Sequence, residues 1–244
     1  MPYVGGIVAV RQALFAELGG FGEQWDGTEE YDLALRLAER LGGAGFGHVA
    51  DILYHRLTVS GRSKRPIQAI CADMPKVLQA HLDRAGVKAT AAPGVQPHFC
   101  RVAYQHDGPE PMVSIIVPPK NQLALVKRCV EAVLQKTKYE NYELIIVDNG
   151  STEADACAFL DQIETQEAQI GARIRVLRHP GPFNFSVMNN RAVRESARGE
   201  YLCLLNNDAA PLDGDWLGEM MVHARRPEVG IVGAKLFYPD GRIP

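Results

Sequence analysis

The chain has 244 residues, 46% hydrophobic and 23% charged, the balance of an ordinary globular protein long enough for one large domain or two small ones. A formal charge of −3 offers no basic surplus to hold a nucleic-acid backbone. Five scattered cysteines without a CxxC pair argue against a disulfide framework or a structural zinc site, and point to a reducing, cytoplasmic setting.

The first region, residues 1–60, opens with a short apolar run over 4–10 that predicts a strand. A helix over 11–18 should stop at Gly19 and Gly20. A second helix is expected over 29–41. Leu33, Leu37 and Leu41 fall four apart on one face, Thr28 stands at the N-cap position, and Glu29, Glu30 and Asp32 suit the positive end of the helix dipole. A strand over 48–54 closes the region. Arg62, Lys64 and Arg65 read as a solvated loop. Residues 61–111 read as a linker: a helix over 67–84 stopped by Gly86, then a stretch punctuated by prolines and glycines around one strand-like run over 99–104. No apolar run approaches the ~20 residues of a membrane-spanning helix.

Residues 112–244 carry the clearest pattern. Branched apolar runs at 113–117, 144–147, 174–177, 201–205 and 229–234 alternate with helical segments at 122–136, 153–168, 186–198 and 215–225. Near-uniformly apolar strands alternating with helices predict an α/β fold, a mostly parallel sheet with helices on both faces. Ligands of such sheets bind beyond the carboxyl ends of the strands. The first run ends in Pro118, Pro119, Lys120 and Asn121. The second ends in Asp148, Asn149, Gly150 and Ser151, and the fourth in Asn206, Asn207 and Asp208. Taken singly these are turn and cap chemistry. Together they place polar groups on one rim, two of the strand ends bearing a carboxylate. The first turn has no GxGxxG and no P-loop, which disfavours a dinucleotide or Walker-type site.

The ordered set Val113–Pro118, Glu143–Ser151, Gly181–Ser186 with Asn189 and Asn190, and Leu204–Asp208 resembles the family-2 glycosyltransferases, in particular the large multidomain bacterial enzymes of O-antigen and rhamnan synthesis. The resemblance implies a GT-A-like, Rossmann-like fold, a nucleotide-sugar donor and a divalent metal, Mg2+ or Mn2+. It also implies inverting transfer to a glycan or lipid-linked acceptor. On it, Asp148 contacts the nucleoside, Pro118 lies beside the base, and Asp208 is the main metal ligand, since Asn206 holds the first position of the DxD motif. Pro119, Asn121, Asn149, Gly150, Asn190 and Asn206 complete the donor-binding set. Pro119 and Lys120 stand where Thr and Arg are usual.

The first sixty residues are similar to the other, acceptor-side half of such an enzyme, through Tyr3–Arg11, Gly19–Phe21 and Glu29–Arg36. This implies that Glu30 is the catalytic base, a glutamate in place of the usual aspartate. Beside it stands the plainer reading that the acidic residues stabilise a helix start. Tyr54–Arg56 resembles the active-site edge, which makes His55 a metal or diphosphate ligand, beside the plainer reading of a packing histidine.

With the acceptor half first and the donor half second, the expectation is the back of one transferase domain joined to the front of the next. The two halves belong to separate sites or dock, in cis or between two chains, into one. The implied setting is cytoplasmic, peripheral to the inner face of the cell membrane, with self-association between half-domains and no nucleic-acid partner. A non-catalytic nucleotide- or glycan-binding module is the alternative, favoured by the departures at Glu30, Pro119 and Asn206.

Overall fold

The computed structural model describes residues 7–49, 51, 66–170, 173–238 and 240–242, with the side chains of 167–170 excepted. Two compact units divide between His106 and Asp107.

The first unit holds α1 (Gln12–Glu17), α2 (Glu29–Leu41), α3 (Ile67–Arg84) and a hairpin of β1 (Ala89–Pro93) and β2 (Cys100–Tyr104). Leu33 and Leu37 of α2 are buried, as their spacing predicts. Asp32 is buried beside them and is neutralised by Arg36, 2.7 Å away. Arg36 also donates to the carbonyls of Leu18 and Gly20, fixing the turn that Gly19 and Gly20 make with positive φ. Thr28 holds the N-cap position but does not cap; its hydroxyl donates back to the Trp25 carbonyl.

Residues 66–104, within the span read as a linker, are folded. Glu39 of α2 accepts from His81 and Arg84 of α3, and the Gln79 side chain bonds the backbone of Ala89 and Ala91. The strand expected over 4–10 is not formed in its described part, 7–10, and most of the strand expected over 48–54 lies outside the described residues. Ladder bonds need a facing strand, and no described strand faces residues 7–10.

The second unit is a parallel sheet in the order β5-β4-β3-β6, built from β3 (Val113–Val117), β4 (Tyr142–Asp148), β5 (Ile174–Arg178) and β6 (Tyr201–Leu204). Its helices are α4 (Leu123–Lys136), α5 (Ala154–Ile170), α6 (Phe185–Glu195) and α7 (Trp216–Ala224). Alternation within the strands assigns the two faces. Val113, Ile115, Val117, Leu144 and Ile146 pack with residues of α4, α5 and α7, while Ile116, Ile145 and Val147 pack with Met188 and Ala192 of α6. This is the α/β class expected, helices on both faces included. The run at 229–234 forms no strand, and Ile231 is 91% exposed. Among the described residues β6 is therefore the last strand on that side of the sheet.

Beneath the α6 face, at the amino ends of the strands, the buried Glu143 carboxylate accepts from Ser114 Oγ (2.7 Å), Arg198 N (2.6 Å) and Arg175 Nη2 (2.6 Å). Gly199 closes over it: a Cβ there would lie 2.5 Å from Ser114 N. This polar cluster fixes strand register at the end of the sheet opposite the rim.

Candidate functional site

The sheet delivers four loops to its carboxyl edge, and hydrogen bonds stitch three of them together. After β3 the chain turns through Pro118, Pro119 and Lys120 into Asn121 and Gln122, both with left-handed backbone (φ 51° and 54°). The Asn121 Oδ1 accepts from the Thr152 and Glu153 backbone N–H groups (2.7 and 3.2 Å), so from a different loop it holds the two residues that lead into α5. The Asn121 N–H donates to Ser151 Oγ at 2.8 Å. Ser151 therefore bridges the loops rather than capping its own helix.

Asp148, the last residue of β4, is only 2% exposed. Its Oδ1 accepts from Ser151 Oγ (2.5 Å) and N (3.1 Å), and its Oδ2 lies 3.4 Å from Arg178 Nη1. Arg178 is held in turn by Glu164 and Asp161 of α5, and the Glu164 hydrogen bonds first, then the neighbouring charges, hold its guanidinium above the ordinary arginine value.

Asn149 is buried. Its N–H donates to the Pro119 carbonyl (3.0 Å), and its Nδ2 to the carbonyls of His179 (3.2 Å) and Gly181 (3.1 Å). One asparagine thus ties the loops after β3, β4 and β5. Gly150 comes next with φ 67°, a conformation that suits glycine.

Asn206 and Asp208 lie exposed on the turn after β6. Leu205 N still donates to the Ile116 carbonyl (3.0 Å), so this turn leaves the sheet beside the end of β3. Because β3 separates β4 from β6, Asp148 and the Asn206 turn stand at strand ends two ladder spacings apart, about 10 Å. The Cys129 thiol of α4 lies 3.8 Å from the Asn206 carbonyl, so the turn passes beside that helix; burial pushes this thiol up to about 11, and the Asp208 charge adds to it.

The structure thus brings Pro118, Pro119, Asn121, Asp148, Asn149, Gly150, Asn206 and Asp208 to one edge. Asn190 is exposed on α6, one residue beyond the buried Asn189. Glu30 is exposed in the first turn of α2, in the other unit, while its neighbour Glu29 has a buried Oε2 without a hydrogen-bond partner. His55 lies outside the described residues. Sequence reasoning missed Arg178, His179 and Arg191, whose roles depend on partners in other elements.

Among the described residues no three or more His, Cys, Asp or Glu side chains cluster as a metal cage. The donor set still fits a hard cation of one kind. Mg2+-like ions are held by one or two carboxylates together with substrate phosphate oxygens, and Asp208 is an exposed carboxylate on the rim where a diphosphate would supply the rest.

The sequence profile of Glycosyl transferase family 2 matches residues 114–243. Among proteins of known sequence, the uncharacterized protein y4gI of Sinorhizobium fredii is 40% identical over 99% of this chain and 26% of its own length. The O-antigen biosynthesis protein RfbC of Myxococcus xanthus is 35% identical over 100% of this chain and 18% of its own. The chain therefore spans about a quarter or less of the length of these relatives. Among solved structures, the mannosyltransferase PcManGT from Pyrobaculum calidifontis, in complex with GDP-Man and Mn2+, aligns at 18% identity and a TM-score of 0.44, over 67% of this chain and 44% of that one.

Proposed function

Because the chain belongs to glycosyl transferase family 2, we propose that the rim of its second unit binds a nucleotide-sugar donor, for transfer of the sugar with inversion to a glycan or lipid-linked acceptor. The observation that carries this reading is the stitched edge itself, with Asp148 at the end of one strand that flanks β3 and Asp208 on the turn after the other. The role of RfbC in O-antigen biosynthesis supports cell-surface polysaccharide as the product class.

In this reading Asp148 faces the nucleoside, with the Pro118 turn beside the base. Its oxygens are already oriented by Ser151, so little ordering remains to be done on binding. Asp208 and Asn206 hold the divalent ion together with the diphosphate. That ion, when bound, offsets the charge that builds on the departing nucleoside diphosphate. Glu30 is the base: its carboxylate takes the acceptor hydroxyl proton as that oxygen bonds the anomeric carbon and the bond to the diphosphate oxygen breaks. Residues 1–60 then serve as an acceptor-side part and 112–244 as a donor half, acting in one site or two.

Self-association between half-domains is part of the reading. Its support is the open β6 edge, where Leu202 and Leu204 are 47% and 56% exposed. Peripheral work at a membrane surface is likewise proposed; no helix among the described residues is long and apolar enough to cross a membrane. The second reading, binding without turnover, is favoured by the glutamate at Glu30 and the asparagine at Asn206.

Calorimetric titration of UDP-, GDP- and dTDP-sugars with and without Mg2+ or Mn2+ tests the donor site. Asp208→Ala is expected to abolish the metal-dependent part of binding. Unchanged metal-dependent affinity in that variant sinks the assignment. Release of nucleoside diphosphate separates transfer from mere binding.

A further inference from the structure

The strand β5 ends beside Asp148, and the next residue in the chain, His179, carries an unused hydrogen-bond donor. His179 N donates to the Asp148 carbonyl (2.7 Å) and its own carbonyl accepts from Asn149 Nδ2 (3.2 Å), so its backbone is pinned against the end of β4. On its ring, Nδ1 lies 3.3 Å from Arg191 Nη1. A guanidinium has only donors, so Nδ1 must offer its lone pair, and the neutral imidazole then carries its proton on Nε2. Arg191 is itself clamped, with Nη1 donating to the Arg178 carbonyl (2.9 Å) and Nε to Glu195 Oε2 (2.8 Å). It is thereby kept against the imidazole. No hydrogen bond joins His179 Nε2 to any described residue, and the side chain is half-buried at the rim.

We propose that His179 donates a hydrogen bond through Nε2–H to an oxygen of the nucleotide-sugar donor, and that Arg191 is the positioning residue that fixes the ring in that tautomer. This rests on the donor-site reading above. The chemistry at this corner is a donor on His179 beside a buried carboxylate, Asp148, whose oxygens are already held by Ser151 and Arg178, and the ligand group it takes is an oxygen acceptor: a nucleobase carbonyl or a diphosphate oxygen. An unpaired N–H at a site that loses water on binding costs affinity unless the ligand supplies the acceptor, so His179 selects for that oxygen.

The test uses the full chain with Mg2+ and a panel of UDP, GDP, dTDP and CDP, with the matching nucleosides as a second arm. Long-range 15N–1H spectra of the imidazole are expected to show the proton on Nε2, and Arg191→Leu to mix the tautomers. His179→Gln reaches the Nε2 position with an amide N–H and should bind within about twofold of the parent. His179→Asn reaches only the Nδ1 position and should lose about five- to tenfold. Loss in both arms assigns the oxygen to the nucleoside; loss only with the diphosphates assigns it to phosphate. A proton on Nδ1, or equal affinity for the Asn and Gln variants, overturns the proposal. Asp148→Asn separates the two failures. If it weakens nucleotide binding while His179→Asn does not, the donor site stands and the role of His179 falls. If no nucleoside diphosphate binds the parent chain, both fall together.

Discussion

Glu143 Oε2 and Arg175 Nη2 lie 2.6 Å apart at the amino ends of β4 and β5, the end of the sheet away from the candidate site. The carboxylate is 2% exposed and its other oxygen takes the Ser114 hydroxyl and the Arg198 N–H. Removing the acid takes the acceptor from the Ser114 hydroxyl and the Arg198 N–H at a buried position and costs the half-buried Arg175 its carboxylate partner. Glu143→Ala is therefore expected to cost about 3–5 kcal/mol in urea unfolding. The rim is at the other end, so nucleotide affinity of the molecules that remain folded should not change. A loss of affinity without loss of stability would show that the pair serves the site.

Asn121 is expected to matter to both stability and binding, because from the loop after β3 it holds the two N–H groups that lead into α5. Asn121→Ala removes that acceptor and frees the two loops from each other. A stability loss of about 1 kcal/mol is predicted from chemical denaturation. Nucleotide affinity should fall with it, since Ser151 would no longer be held between Asn121 and Asp148. Asn121→Asp keeps an acceptor for the same two N–H groups, and should recover most of the stability.

Parts of this arrangement are legible in the sequence and others are not, for definite physical reasons. β3 and β4 are buried along their whole length, so their runs of Val, Ile and Leu announce them. The polar residues after them mark the strand ends directly. The run at 229–234 also carries branched residues yet forms no strand: Gly230 and Gly233 weaken it, and a strand exists only with a neighbour to bond. β1 fails in the opposite direction. Ala89–Pro93 has weak strand propensity, and it is ordered by pairing with β2 and by Gln79 of α3. At the site, Asp148 and Asp208 are visible as carboxylates at strand ends, but the direction a side chain takes is not. Asn149 reads as a ligand contact, and its burial and its hydrogen bonds across three loops are not legible in the sequence. His179 and Arg191 are twelve positions apart and meet only through the packing of α6 beside β5.

In the first unit, Glu39 should make stability depend on acid pH. Burial is the largest single influence on its carboxyl and acts upward, but hydrogen bonds and charge from Arg84 and His81 outweigh it and hold the group below its ordinary value. The folded chain thus binds this proton less readily than the unfolded chain does. The contribution is complete above the unfolded value, about 4.3, and is lost as pH falls through the lower folded value. Melting temperatures between pH 6 and 3 should decline less steeply in Glu39→Gln than in the parent. Equal slopes would mean that the α2–α3 pairing contributes nothing to acid sensitivity.

Cysteine reactivity offers a probe of the Asp208 turn that needs no ligand. Burial pushes the thiols of Cys129 and Cys203 each up to about 11; for Cys129 the next influence is the Asp208 charge, for Cys203 it is Cys129. At pH 8 such thiols are ~0.1% thiolate, and alkylation requires the thiolate. Mass mapping after brief iodoacetamide treatment should therefore find both slow beside the half-buried Cys157. Asp208→Asn removes the charge with little change in volume, so it should speed Cys129 more than Cys203. An equal effect on both would report general loosening of the fold, and no effect on Cys129 would place the Asp208 carboxylate away from α4. The outcome bears on the site, because a selective effect on Cys129 would show that the Asp208 carboxylate stays near α4 before any nucleotide or metal ion arrives.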